Sequence, residues 1–204
     1  MNLVERAKNI LLQPKSEWGV IAAESTSTPE LYKSYIMPLA AIGPAASIIG
    51  MSVVGMSSPF MGGTYRVPLT NSITHAITSY ILTLVGVFII ALIIDALASS
   101  FGGEKNQAQA LKVATYASTP GWVAGIVMLL PMLGIIGLLA AFYGIYLLYL
   151  GLPLLMKAPP EKAVAYTAVV VVVTIVVMVV IGAISSLLMP ASIMPMPDFS
   201  QMPR

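Results

Sequence analysis

Cysteine is absent, which removes disulfides, thiolate metal sites and thiol chemistry together. Charge is scarce: ten Lys and Arg, eight Asp and Glu and one His make 9% charged residues in a 204-residue chain. The ten basic residues are scattered among loops, so no basic stripe marks a nucleic-acid partner. Glu104-Lys105-Asn106-Gln107-Ala108-Gln109 lacks the spacing and the terminal Lys-Ser/Thr of a phosphate-binding loop. Nucleophile-and-base pairs and metal-ligand clusters are also missing, so an enzyme is not expected and no cofactor is implied. What fills the chain is apolar. With 58% hydrophobic residues and a mean hydropathy of +0.91, there is too little polar surface to cover a water-soluble globule, and a bilayer supplies the missing solvent.

The apolar residues divide into five runs, which predict an all-α, polytopic membrane protein with five transmembrane helices and an N-terminal amphipathic helical segment. The expected parts are a cytoplasmic segment over 1–30, a membrane domain over 31–188 and an irregular Met- and Pro-rich tail over 189–204. In the first part Leu3, Ala7, Ile10 and Leu11 recur at helical spacing, and Trp18 and Ile21 continue the apolar side past Pro14, which suits a short interfacial helix pair. Thr28-Pro29-Glu30 has the order of a helix start. Tyr35 to Met56, about 22 residues, matches the roughly 20 needed to cross the hydrocarbon, with bends at Pro38, Gly43 and Pro44. Residues 57–70 read as an exposed loop, and a second span runs from about Ser72 to Ala98 and stops at Gly102-Gly103.

The central stretch reads as a hairpin. One helix begins after Lys112 and stays uncharged to Leu130, Pro131-Met132-Leu133-Gly134 turns the chain, and a second helix runs from Ile135 to Met156. Pro120 removes an amide from the first of these, freeing a carbonyl near Tyr116; Ser118 and Thr119 are placed to satisfy that region, and Gly121 is expected to admit a neighbouring helix. The fifth span, Ala163 to Leu188, is rich in valine but too long for a membrane strand.

Five spans put the termini on opposite sides. Arg6, Lys8, Lys15, Lys33, Lys105, Lys112, Lys157 and Lys162 fall on one side, against Arg66 and Arg204 on the other, which predicts a cytoplasmic N-terminus and an outside C-terminus.

Three features carry candidate chemistry. Asp95, two turns before a helix end, is opposed by the helix dipole and by membrane depth, and Lys105 or Lys112 is the expected partner; otherwise it would serve an ion pathway. Tyr143, Tyr146 and Tyr149 sweep one side of span four beside a Gly137, Ala141 and Gly144 stripe. They read as an inner-leaflet aromatic belt with tight packing, or as a polar groove meeting Ser118, Thr119 or Asp95. Met51, Met56, Met61, Met128, Met132, Met189, Met194, Met196 and Met202 map to the outer side, where thioethers suit Cu(I) or Ag(I), although methionine is also a common apolar filler. His75 reads as an interfacial side chain.

Phe101-Gly102-Gly103-Glu104-Lys105-Asn106, Tyr116-Ala117-Ser118-Thr119-Pro120, the Tyr-rich fourth span, and Gly151 to Ala163 with its Met156-Lys157-Ala158-Pro159-Pro160-Glu161-Lys162 segment together resemble the bacterial branch of the Yip family. That family is named for eukaryotic proteins that interact with Ypt and Rab GTPases. The resemblance covers about Leu31 to Leu188. It implies a five-span inner-membrane protein of undefined activity with a cytoplasmic N-terminus. The expected role is membrane-organising or adaptor, with the bilayer, and a homo-oligomer or a membrane-protein partner, as its company. Glu30 to Pro38 lacks the compact Asp-Leu-Tyr-Gly-Pro type motif of the eukaryotic members, which leaves GTPase binding unsupported. The alternative expectation is a small transporter or channel for an ion or small solute, using Asp95 and the tyrosines of span four.

Overall fold

A computed structural model describes residues 2–58, 63–130 and 133–188, without the side chains of 56–58, 63–65, 134 and 181–188. The Met- and Pro-rich tail, Met61, Met132 and Arg204 lie outside the described residues, as does the start of the expected turn at Pro131. So does most of the methionine set; of the rest, Met51 is half-buried, Met128 is exposed and Met56 is described without its side chain.

Two short helices open the chain, α1 (Leu3–Leu12) and α2 (Pro14–Ala23). Asn2 caps α1 by accepting from the Val4 amide, and Pro14 occupies the first position of α2, where a missing amide costs nothing. α3 (Thr28–Val54) is a bent helix whose first turn is capped by Ser27, one residue before the expected Thr28. It widens to i→i−5 turns at Tyr32–Ile36 and Gly50–Val54. The first widening precedes Pro38, whose ring clashes with a regular turn, and is how the helix accommodates it. The expected loop contains a short antiparallel ribbon instead, β1 (Met56–Ser58) paired with β2 (Gly63–Tyr65), and α4 (Leu69–Ala98) begins earlier than the apolar run suggested. α4 ends through a tight turn at Ser99–Phe101 and a left-handed Gly102, φ +75°, as its glycine pair predicts. α5 (Gln107–Ala124) continues into a 3₁₀ stretch at Gly125–Leu129, and α6 (Gly134–Leu155) and α7 (Ala163–Leu188) complete the chain.

Among the described residues, four helical stretches are long and apolar enough to cross a bilayer: Thr28–Val54, Leu69–Phe101, Ile135–Leu155 and Pro160–Val180. The third of the five expected spans is not among them. At 1.5 Å per residue α5 is only about 27 Å long before its 3₁₀ extension, and Gln107, Gln109, Lys112, Thr115, Ser118 and Thr119 dilute its apolar character. α5 is instead the most enclosed helix, packed between α4 and α6, with ten of its residues buried. Gly144 makes this packing close: a β-carbon there would sit 2.8 Å from the Ala117 carbonyl oxygen. Gly121 does not play that role, because a β-carbon there would meet nothing within 4 Å.

The N-terminal helices do not merely lie on an interface. Ala7, Ile10, Trp18 and Ile21 are buried in the same apolar cluster as Tyr116, Leu147 and Leu152 of the bundle. A β-carbon on Gly151 would approach within 2.8 Å of the Trp18 indole, so the glycine is what lets α2 seat against α6.

Candidate functional site

The polar side chains concentrate where α1 and α2 meet α5. Arg6 lies on the core face of α1, between Ala7 and Ile10 in burial, and a guanidinium there requires partners. It finds two. Nη1 donates to Glu17 Oε1 at 2.6 Å, and Nη2 donates to Glu24 Oε1. The Arg6–Glu17 pair is almost wholly removed from solvent. Burial by itself lowers the Arg6 pKa, but the hydrogen bond to Glu24 and the electrostatic interactions with Tyr116, Glu24 and Glu17 outweigh it; the pKa lies above its ordinary value and the group stays charged.

Beneath the guanidinium lies an aromatic floor. The Arg6 Cζ sits 5.8 Å from the centroid of the Tyr116 ring, within cation–π range. Trp18 meets Tyr116 edge-on at 6.1 Å and Tyr35 meets it tilted at 4.8 Å. Tyr35 and Thr119 share a hydrogen bond of 3.0 Å, with the tyrosine as donor when the Thr119 hydroxyl donates to the Thr115 carbonyl at 3.5 Å. Ser118 donates to the Ala114 carbonyl at 2.7 Å. Both hydroxyls therefore bond carbonyls one turn back, at Ala114 and Thr115, and the Tyr116 carbonyl that Pro120 leaves without its amide is not their acceptor.

α5 also closes the end of α2. Lys112 Nζ donates to the carbonyls of Ile21, at 3.1 Å, and Glu24, and Gln109 Nε2 reaches that of Ala22 at 3.5 Å. These carbonyls have no intrahelical donor, and a cation there also complements the negative end of the α2 dipole. This accounts for Lys112, and it overturns the expected pairing with Asp95. Lys105 does not pair with Asp95 either; the ion pair of that loop joins Lys157 to Glu104 at 2.6 Å, exposed on both sides. Asp95 Oδ1 is buried with no hydrogen-bond partner among the described residues.

The expected meeting of the span-four tyrosines with Ser118, Thr119 or Asp95 is likewise not what the hydrogen bonds describe. Tyr143 donates at 2.7 Å to the Leu11 carbonyl, at the end of α1, while Tyr146 and Tyr149 are each 39% exposed. The Tyr143 and Tyr146 rings meet at 5.7 Å. Tyrosine hydroxyls elsewhere act similarly, as ties between elements: Tyr32 to the Leu84 carbonyl, Tyr80 to that of Met37 and Tyr166 to that of Ile94. His75 is exposed.

Of the candidate residues read from sequence, Tyr116, Thr119 and Pro120 are buried around this junction, and Ser118 is half-buried on the same helix. Arg6, Glu17, Trp18, Glu24 and Tyr35 were missed. The available signal was a charge on the apolar face of α1, since Arg6 is flanked at helical spacing by Leu3 and Ile10. Such a residue must be paired wherever that face is buried.

Residues 8–181 match the Yip1 domain, a span that starts inside α1 and ends within α7. The chain belongs to the Yip1 domain family. The N-terminal hairpin is therefore within the Yip1 domain from Lys8 onward, together with Glu17, Trp18 and Glu24. Inner membrane protein YohC of Escherichia coli strain K12 is 27% identical over 159 residues, which cover 76% of this chain and 80% of that protein. YohC of Escherichia coli O6:H1 strain CFT073 is similar to the same extent. No solved structure matches this Yip1 domain.

Proposed function

We propose that this Yip1 domain protein is a non-enzymatic, multi-pass inner-membrane protein that works as a membrane-organising or adaptor component, with α1 and α2 as its cytoplasmic docking head. The observation that carries this reading is where the polar groups are spent. Arg6, Glu17, Glu24 and Lys112 bind one another or helix-end carbonyls, and five tyrosine hydroxyls tie one element to the next. These are the bonds of a scaffold, in which the reactive groups hold shape.

In this reading α5 with its 3₁₀ extension is a fifth crossing, buried by its neighbours instead of facing lipid. The hairpin α1–α2 and the connections at 99–106 and 156–162 gather at one end, where Glu104 donates its amide to the Met156 carbonyl at 2.8 Å. That end carries Arg6, Lys8, Lys15, Lys105, Lys112, Lys157 and Lys162, and the basic excess supports its being cytoplasmic. The YohC name, an inner membrane protein, supports the compartment.

Alkaline phosphatase fused at Ala158 should be inactive and a fusion after Arg204 active; activity at Ala158 would refute the topology. For the adaptor role, a photo-crosslinking residue at Lys8 on the exposed side of α1 should capture a discrete membrane-protein partner in cells. Solute flux in proteoliposomes together with no protein adduct at Lys8 would remove the adaptor reading.

A further inference from the structure

Residues of α4, α5, α6 and α7 line an open crevice of about 390 Å³. Ala117 and Gly121 of α5 line it together with Ala141 and Leu148 of α6, and Val170 and Thr174 of α7. Its α6 and α7 residues lie inside stretches apolar enough to cross a bilayer, Ile135–Leu155 and Pro160–Val180, so the crevice is at hydrocarbon depth. Gly121 leaves room on the α5 wall, since a β-carbon at that position meets nothing within 4 Å.

Chemistry and size decide what fits. A water needs two to four polar partners. The Ser118 hydroxyl is engaged with the Ala114 carbonyl, which leaves the Thr174 hydroxyl, buried and unpartnered among the described residues, as the polar group to be met. One hydroxyl does not hold water in an apolar crevice of this size. A second helix needs small residues on the facing walls through which to pack closely. Gly144, the small residue through which a second helix would approach, is already filled by the Ala117 carbonyl of α5. A flexible apolar chain meets none of these objections. We infer that the crevice is a binding site for one acyl chain of a bilayer lipid, seated over Gly121 between α6 and α7. This site is independent of the adaptor role.

The chain has two tryptophans, which makes the test direct. Trp122 lines the crevice, whereas Trp18 is sealed under the N-terminal hairpin and 1% exposed. The protein is reconstituted in phosphatidylcholine vesicles whose acyl chains do or do not carry bromine, a contact quencher of indole. The Trp122 component should be quenched by brominated chains, as shown by its loss in Trp122→Phe, while Trp18 remains as the unquenched reference. Gly121→Leu fills the crevice and should at least halve the quenched component. Gly137→Leu, at an equally open glycine outside the crevice, should leave it unchanged. Ala141→Leu fills the same space from the opposite wall and serves if Gly121→Leu does not fold. Absence of Trp122-dependent quenching, or quenching equal in wild type and both filled variants, overturns the inference. So does a cysteine crosslink between copies at Ala141→Cys that Gly121→Leu abolishes, because the occupant is then a second chain.

Discussion

Replacing Gly151 by alanine tests whether the N-terminal hairpin is a docked part of the domain. The added β-carbon would lie 2.8 Å from two carbons of the Trp18 ring and 3.0 Å from a third, well inside ordinary contact. The indole cannot yield easily: it is rigid, 1% exposed, and held edge-on by Tyr116 at 6.1 Å. Overpacking of this kind costs about 1–3 kcal/mol, which lowers the docking equilibrium of α1–α2 by roughly 5- to 150-fold. Gly19→Ala in the same hairpin is the matched control, since a β-carbon there meets nothing within 4 Å. In a helix interior that change stabilises by about 0.8–1 kcal/mol. Hydrogen–deuterium exchange on the purified protein reads both. Protection over Leu3 to Ala23 should fall by that factor in Gly151→Ala and hold or rise in Gly19→Ala, while the middle of α5 and α6 is unchanged. Wild-type protection in Gly151→Ala would show that Trp18 is not seated on α6, and the docking argument would fail.

Arg6→Met should lower thermal stability in detergent by the equivalent of about 3–5 kcal/mol, because it leaves Glu17 buried without a counter-ion; pairing it with Glu17→Leu should recover much of the loss. Near-additive losses in the double variant would show the ion pair to be unimportant. Gly125→Ala should be far more damaging than Gly43→Ala, although the two glycines face each other: the new β-carbon meets the Gly43 backbone at 2.8 Å in the first case and the Gly125 α-carbon at 3.6 Å in the second. Equal melting temperatures would contradict that contact. Tyr143→Phe should cost about 0.5–1.5 kcal/mol through the lost bond to the Leu11 carbonyl, and increase proteolysis of α1, whereas Tyr146→Phe, 39% exposed, should change neither.

Residence in a membrane, the helical class and most helix ends were legible in the sequence because each depends on residues close together in the chain. An apolar run of bilayer length, a proline at the start of α2 and a left-handed glycine after α4 act within a few residues of themselves. The basic asymmetry is equally local to loops. α5 was harder to read because its length and its scattered polar residues pull against each other, and because its burial is supplied by α4 and α6.

The partners of the polar residues were decided by tertiary structure alone. Arg6 meets glutamates 11 and 18 residues away, Lys112 meets carbonyls 91 and 88 residues away, and Tyr143 meets a carbonyl 132 residues away. Periodicity at 3.6 residues shows that a face will be buried, as on α1, but not against what. Lys112 could have turned to Asp95 on charge alone. It caps α2 because docking Trp18 against Gly151 brings the bare carbonyl end of that helix to α5, and burying those carbonyls without a donor would cost more than leaving the lysine free.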